Sequence, residues 1–144
     1  MGFETLLGND RLKDNLTSSL AKGRISHFYL ISGPAGSGKG TVVNEILSRS
    51  DAFICAVSAT SRPMLKGEQD GVNYHYITRE AFEEKIREGG VLEYTEYCGN
   101  YYGTLKKETE DVLQSGQNLV LEVEVEGAMN VKRVYPDAVT IMLL

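Results

Sequence analysis

The sequence predicts an α/β fold: three layers, with a mostly parallel sheet at the centre. Two observations carry this. An apolar run, Phe28-Tyr29-Leu30-Ile31, leads into Gly33-Pro34-Ala35-Gly36-Ser37-Gly38-Lys39-Gly40-Thr41, and then into Val42-Val43 and Ile46-Leu47 at helical spacing. Strand, glycine-rich turn and helix in that order are the setting of a phosphate-binding loop. Beyond the loop, apolar runs alternate with amphipathic stretches, as strands joined through helices do.

The loop comes first because its chemistry is the most specific. Closely spaced glycines let the backbone curl so that several N–H groups face one anion. The following helix N-terminus adds partial positive charge. Lys39 is placed to reach terminal phosphates, and Thr41 offers a hydroxyl beside them. The general pattern has Ser or Thr directly after the lysine; here Gly40 intervenes. That leaves open which group holds Mg²⁺.

Residues 1–27 read as a helix capped at Asn9 or Asp10, with Leu12, Leu16 and Leu20 on one stripe and Gly23 closing it. His27, entering the first strand, reads as a packed structural residue. After the loop helix, Ala52 to Val57 reads as a second core strand and Tyr74 to Ile77 as a short one. Thr78 caps a helix with Phe82 and Ile86 on one face, stopped by Gly89-Gly90. Val91 to Tyr97 alternates as a strand, and Gly99 to Thr104 reads as a turn carrying two tyrosines. Leu105 to Ser115 is an amphipathic helix, and Leu119 to Glu124 a buried strand with carboxylates at its C-terminal end. Gly127 to Val134 reads as a helix stopped by Pro136, and Ala138 to Leu144 as a final apolar strand.

The 144 residues suit one domain, and 42% hydrophobic residues suit a real core. No apolar run approaches the ~20 residues of a membrane span. Met1 to Asp10 lacks the pattern of a signal peptide. Two cysteines, Cys55 and Cys98, fit no metal spacing and read as reduced thiols of a cytoplasmic protein. A net charge of −5 argues against a nucleic-acid surface. Residues 1–38 carry four basic and three acidic side chains; residues 39–144 carry eleven and seventeen, so the charge shifts at the loop.

Two resemblances follow from these motifs. The segment from Phe3 to Lys39, including "RISHFYLISGPAGSGK", resembles the start of bacterial clamp-loader ATPases, particularly the delta-prime subunit of the replicative polymerase. Residues 39–144 resemble guanylate kinase throughout: Ser58 to Pro63, Gly67 to Tyr74 and Gly99 to Thr104 occur in that family's order and spacing. The chain therefore reads as a clamp-loader-like N-terminal segment, 1–27, joined to a P-loop NTPase-type kinase body. A small α+β subdomain that binds a nucleoside monophosphate, about 58–104, is inserted into it.

The resemblance implies ATP plus GMP giving ADP plus GDP, with Mg²⁺. It implies donor phosphates on the loop 33–41 and Lys39. It implies guanine on Glu93 and Thr104, with Glu124 on the strand below. A carboxylate accepts two hydrogen bonds and donates none, so it suits guanine's adjacent N–H donors. The acceptor phosphate falls to Arg62, Tyr74 and Tyr102, with Ser58 at the strand end. The bland readings are a solvated carboxylate for Glu93, a helix cap for Thr104 and sheet packing for the tyrosines.

The family's second arginine, three positions after Arg62, is here Leu65, beside Lys66, so GMP affinity should fall. The family's arginine-bearing lid and C-terminal helices would follow Leu144. Without them the polypeptide is expected to bind nucleotide with little turnover, and to expose a sheet face prone to self-association. The rival readings are a clamp-loader-type ATPase, part of a DNA polymerase III assembly, and a non-catalytic guanylate kinase-like binding module. The first lacks its Asp-Glu pair and Ser-Arg-Cys motif here; the second usually loses the phosphate loop that this chain keeps.

Overall fold

The structure is a computed structural model and describes residues 28–34 and 36–143. The helix expected before Gly23, the clamp-loader-like start, His27 and Ala35 lie outside these residues. Among them, no helix is long and apolar enough to cross a membrane.

Strand β1 (Phe28–Ser32) is buried along its whole length, as a five-residue apolar run bounded by a glycine loop should be. Helix α1 (Lys39–Arg49) follows the loop, and β2 is Phe53–Cys55. Near the other end lie β7 (Asn118–Val123), α4 (Val125–Val134) and β8 (Val139–Met142). These four strands form one sheet in the order β2-β7-β1-β8, and every pairing is parallel. Parallel neighbours need crossover connections, and the helices supply them.

Helices cover both faces. On one, α1 lays Val43 and Ile46 against Tyr29, Ile31 and Val120. On the other, Ala128 and Val131 of α4 meet Phe28, Leu30, Leu119 and Leu121. Leu30, Ile31, Leu119 and Val120 are fully buried, and such a side chain contributes about 1.5–3 kcal/mol through burial. Around this sheet the exposed large apolar residues are Val125, Met129 and Val134 of α4 and Val139 and Met142 of β8. The sheet centre is covered, so the exposed face expected from the sequence reduces to this edge.

Between β2 and β7 the chain builds a second sheet. It comprises β3 (Ala59–Thr60), β4 (His75–Tyr76), β5 (Val91–Tyr97) and β6 (Asn100–Leu105), in the order β4-β3-β6-β5. Its pairings are mixed: β3 runs parallel to β4 and antiparallel to β6. Helix α2 (Arg79–Arg87) is capped by Thr78, whose hydroxyl accepts from the Ala81 amide. Its Phe82 is fully buried against the ring of Tyr101. Helix α3 (Lys106–Gln114) leads back to β7.

Two expectations need correcting. Gly99 to Thr104 is not a turn beyond its first residue: Asn100 onward is strand β6, paired with β5 in register. The turn is confined to Cys98 and Gly99. Helix α4 begins two residues before Gly127, at Val125, with Glu124 as its N-cap.

The sheets are tied together at the root of β5. Leu92 is buried among Leu119, Leu121 and Val123 of the main core. On α3, Glu108 accepts from His75 Nε2 at 2.7 Å and from the Val57 amide at 3.5 Å, linking the small sheet to the strand exit of the large one.

Candidate active site

A cleft of about 610 Å³ opens where the two sheets meet, a size suited to a small-molecule ligand. Its wall includes Lys39, Ser58, Tyr74, Glu93, Tyr102 and Glu124, six of the residues singled out from the sequence. They come from α1, the exit of β2, the approach to β4, β5, β6 and the end of β7. The cleft lies at the C-terminal ends of β1, β2 and β7, the usual ligand position in open parallel sheets.

At one end stands the phosphate-type loop. Gly38 caps α1 at φ 89°, a left-handed conformation that glycine adopts without a Cβ penalty. Lys39 is 8% exposed, and its Nζ donates to the carbonyls of Gly33 at 2.8 Å and Pro34 at 3.1 Å. Glu124 Oε1 lies 3.5 Å away. The ammonium is thus held at the loop by oxygen acceptors that a phosphate can replace. Ser32 Oγ and Ser37 Oγ are buried with no partner among the described residues, which marks the loop as incompletely satisfied. Thr41 is exposed on the first turn of α1. Gly40, in place of the usual hydroxyl, faces Glu122: a Cβ there would sit 3.9 Å from one carboxylate oxygen and 4.0 Å from the other.

At the other end, Glu93 is set into the wall. Thr104 Oγ1 donates to its Oε1 at 2.7 Å. The side chain of Thr104 is buried, and the cap position of α3 belongs to Leu105, so Thr104 is a partner of Glu93 and not a helix cap. Burial pushes the Glu93 carboxyl above its ordinary range; the Thr104 hydrogen bond opposes this and the charge of Glu124 adds to it. The first turn of α4 closes over the group. A Cβ on Gly127 would come within 2.8 Å of Glu93 Oε2, so a larger residue there would push the carboxylate out of its present position.

The acceptor-phosphate candidates form an aromatic cluster. Tyr74 and Tyr102 meet edge to face at 5.9 Å, both on the cleft wall. Arg62 stands behind them, with its Cζ 5.4 Å from the centre of the Tyr74 ring. Arg62 is outside the wall itself, paired with Glu68. Leu65 is exposed and brings no second guanidinium to the site.

Cys55, Val72, Asn73, Thr95, Tyr97 and Glu122 also line the cleft and were not foreseen. Period-two alternation along β5 would have found two of them, since Glu93, Thr95 and Tyr97 share one side of the strand. Cys55 is no nucleophile: burial first, and Glu122 and Glu108 after it, push its thiol up to about 11, so it stays protonated at neutral pH.

Comparison with known proteins agrees with this geometry. The guanylate kinase family model matches residues 26–144. A guanylate kinase of Chlorobium luteolum is 42% identical over 121 residues, covering 84% of this chain and 61% of that protein. One from Clostridium perfringens is 46% identical over 115 residues, covering 80% and 53%. This chain therefore spans less than two thirds of the length of either relative. The crystal structure of guanylate kinase from Anaplasma phagocytophilum superposes with a TM-score of 0.64 at 29% identity, covering 80% of this chain and 57% of that one. The segment with the clamp-loader resemblance, Phe3 to Lys39, begins before the matched region and overlaps it from residue 26 onward. With a parallel sheet, a phosphate loop and a matched segment running from residue 26 onward, the fold is that of the P-loop NTPases and the chain belongs to the guanylate kinase family.

Proposed function

We propose that this chain binds ATP and GMP in the cleft and serves phosphoryl transfer from one to the other, giving ADP and GDP. The observation that carries it is the half-buried Glu93 held by the buried Thr104 hydroxyl, set across one cleft from Lys39. A half-buried carboxylate backed by a hydroxyl offers acceptors to guanine's N1–H and exocyclic amine. Adenine has an acceptor at N1, which would face that carboxylate unpaired.

In this reading Lys39 turns from the loop carbonyls to the donor phosphates. Loop amides from 33–41 cradle the β-phosphate, and Arg62, Tyr74 and Tyr102 hold the GMP phosphate. Ser58 supports that end, and Glu124 borders both halves. Phosphoryl transfer asks the protein mainly for position and positive charge. Lys39 at the loop and Arg62 behind the tyrosines supply both in this reading.

Mg²⁺ would be held by oxygen donors, which suit its hard charge. The chain offers the Glu122 carboxylate facing Gly40 and the Thr41 hydroxyl. Among the described residues no group of three or more His, Cys, Asp or Glu is arranged to hold a metal, so donor phosphates would complete the set. Bound there, the ion neutralises charge on the transferred group.

Titration calorimetry with GMP, AMP and ATP separately tests the reading. GMP and ATP should bind and AMP should not compete for the GMP site. Equal GMP and AMP affinity would remove Glu93 as discriminator and favour a clamp-loader-type ATPase or a binding module.

A further inference from the structure

We propose that Glu68 is a positioning residue that sets the Arg62 guanidinium for the acceptor phosphate. This rests on Arg62 meeting that phosphate. Arg62 NH1 donates to Glu68 Oε2 at 3.1 Å and NH2 donates to Oε1 at 2.9 Å. The same Oε2 accepts the Leu65 amide at 2.8 Å. One carboxylate therefore orients the guanidinium and closes the loop between residues 62 and 68. NH1 also donates to the Pro63 carbonyl at 3.0 Å. The pairing is end-on, so Glu68 leaves the Nε–H edge unused. The guanidinium plane lies against two rings, 5.4 Å from the Tyr74 centroid and 5.8 Å from that of Tyr76. Tyr74 also faces the cleft.

Orientation and charge pull in opposite directions. Glu68 cancels part of the attraction that Arg62 offers an anion. Against this, a free arginine must give up its rotamer freedom when phosphate binds, and a fixed one has already done so. Both side chains are only 20% exposed, so water screens the carboxylate's repulsion of an arriving phosphate in part and the two effects compete. A positioning role requires the directional gain from a pre-set planar fork to exceed that repulsion, and the sign of the Glu68→Ala effect on GMP decides it. The pair persists across the working pH range, because Arg62 holds the Glu68 carboxyl down at about 2.

The test uses the full chain, with calorimetry for GMP and for guanosine, which shares the base and lacks the phosphate. Glu68→Ala should weaken GMP about tenfold, the scale of freeing one long side chain, and leave guanosine unchanged. In an Arg62→Ala background, Glu68→Ala should have no further effect on GMP. If Glu68→Ala lowers the melting temperature enough to compromise folding, Glu68→Gln, which keeps the shape and loses the charge, takes its place in the same cycle. Unchanged or tighter GMP binding, an equal loss for guanosine, or a full loss persisting without Arg62 would each overturn the proposal. Wild-type chain that fails to bind GMP, or an Arg62→Ala variant that binds it normally, would instead overturn the phosphate reading, and the positioning role with it.

Discussion

Glu93 shows how one residue's surroundings decide both stability and recognition. Its carboxyl is raised above 4.5 chiefly by burial. A group whose pKa is raised on folding holds its proton more tightly folded than unfolded. Its contribution to stability is therefore full below 4.5 and is lost as pH rises through the higher folded value. Guanine binding has the opposite sign, because two base donors need the ionised carboxylate. Guanosine affinity should rise with pH through a midpoint above 4.5, and Glu93→Gln should flatten that profile. At neutral pH the variant should bind guanosine ten- to a hundredfold more weakly, on the order of one charged hydrogen bond. Guanosine is the better probe because a phosphate monoester titrates on its own near pH ~6. A profile unchanged by Glu93→Gln would take the base off Glu93. Glu93 was legible in the sequence only through the Gly-Asn-Tyr-Tyr-Gly motif that follows it. Its closeness to Gly127 was not, since a glycine inside a helix carries no mark of what passes beside it. Nor was Glu68, whose importance appears only when Arg62 is seen to lean on it.

Elements whose signals are local were read best. Thr78, the spacing of Phe82 and Ile86, and Gly89-Gly90 define α2 from within its own few residues, and the structure agrees. Strand β6 was misread because Gly, Asn and Tyr together look like turn chemistry. What makes Asn100–Leu105 a strand is its partners: β5 on one side, in the pairs Thr95↔Tyr102 and Glu96↔Tyr101, and β3 on the other. Strand β3 was missed for the same reason, being two residues fixed wholly by neighbours. The small sheet's stability should therefore sit in its side-chain packing. Phe82 stacks on Tyr101 at 5.0 Å and meets Tyr94 edge to face at 6.4 Å, fully shielded from water. Phe82→Ala should cost about 3–5 kcal/mol in urea unfolding. A cost below ~0.5 kcal/mol, the scale of a surface change, would mean that α2 is not what holds the small sheet together.

At the scale of the whole molecule, the three-layer arrangement was legible because strand, loop and helix alternate along the chain. The strand order β2-β7-β1-β8 was not, because local patterns do not say which parallel strands become neighbours. The exposed edge follows from that order. Among the described residues β8 pairs only with β1, and its Val139 and Met142 are 38% and 49% exposed. An edge strand with free backbone groups and apolar side chains is a template for another chain. Lys132 and Arg133 lie at the end of α4 nearby in sequence, but β8 itself, Val139-Thr140-Ile141-Met142, carries no charge to discourage pairing. We therefore predict concentration-dependent association of the 144-residue chain through this edge. Sedimentation velocity should show the average mass rising with concentration, and Val139→Lys with Met142→Lys should abolish the rise. Both positions are outside the buried clusters, so the paired substitution should leave the melting temperature and GMP affinity nearly unchanged. A wild-type chain that stays monomeric at the highest soluble concentration, or a charged variant that associates as before, would show that β8 is protected by other means.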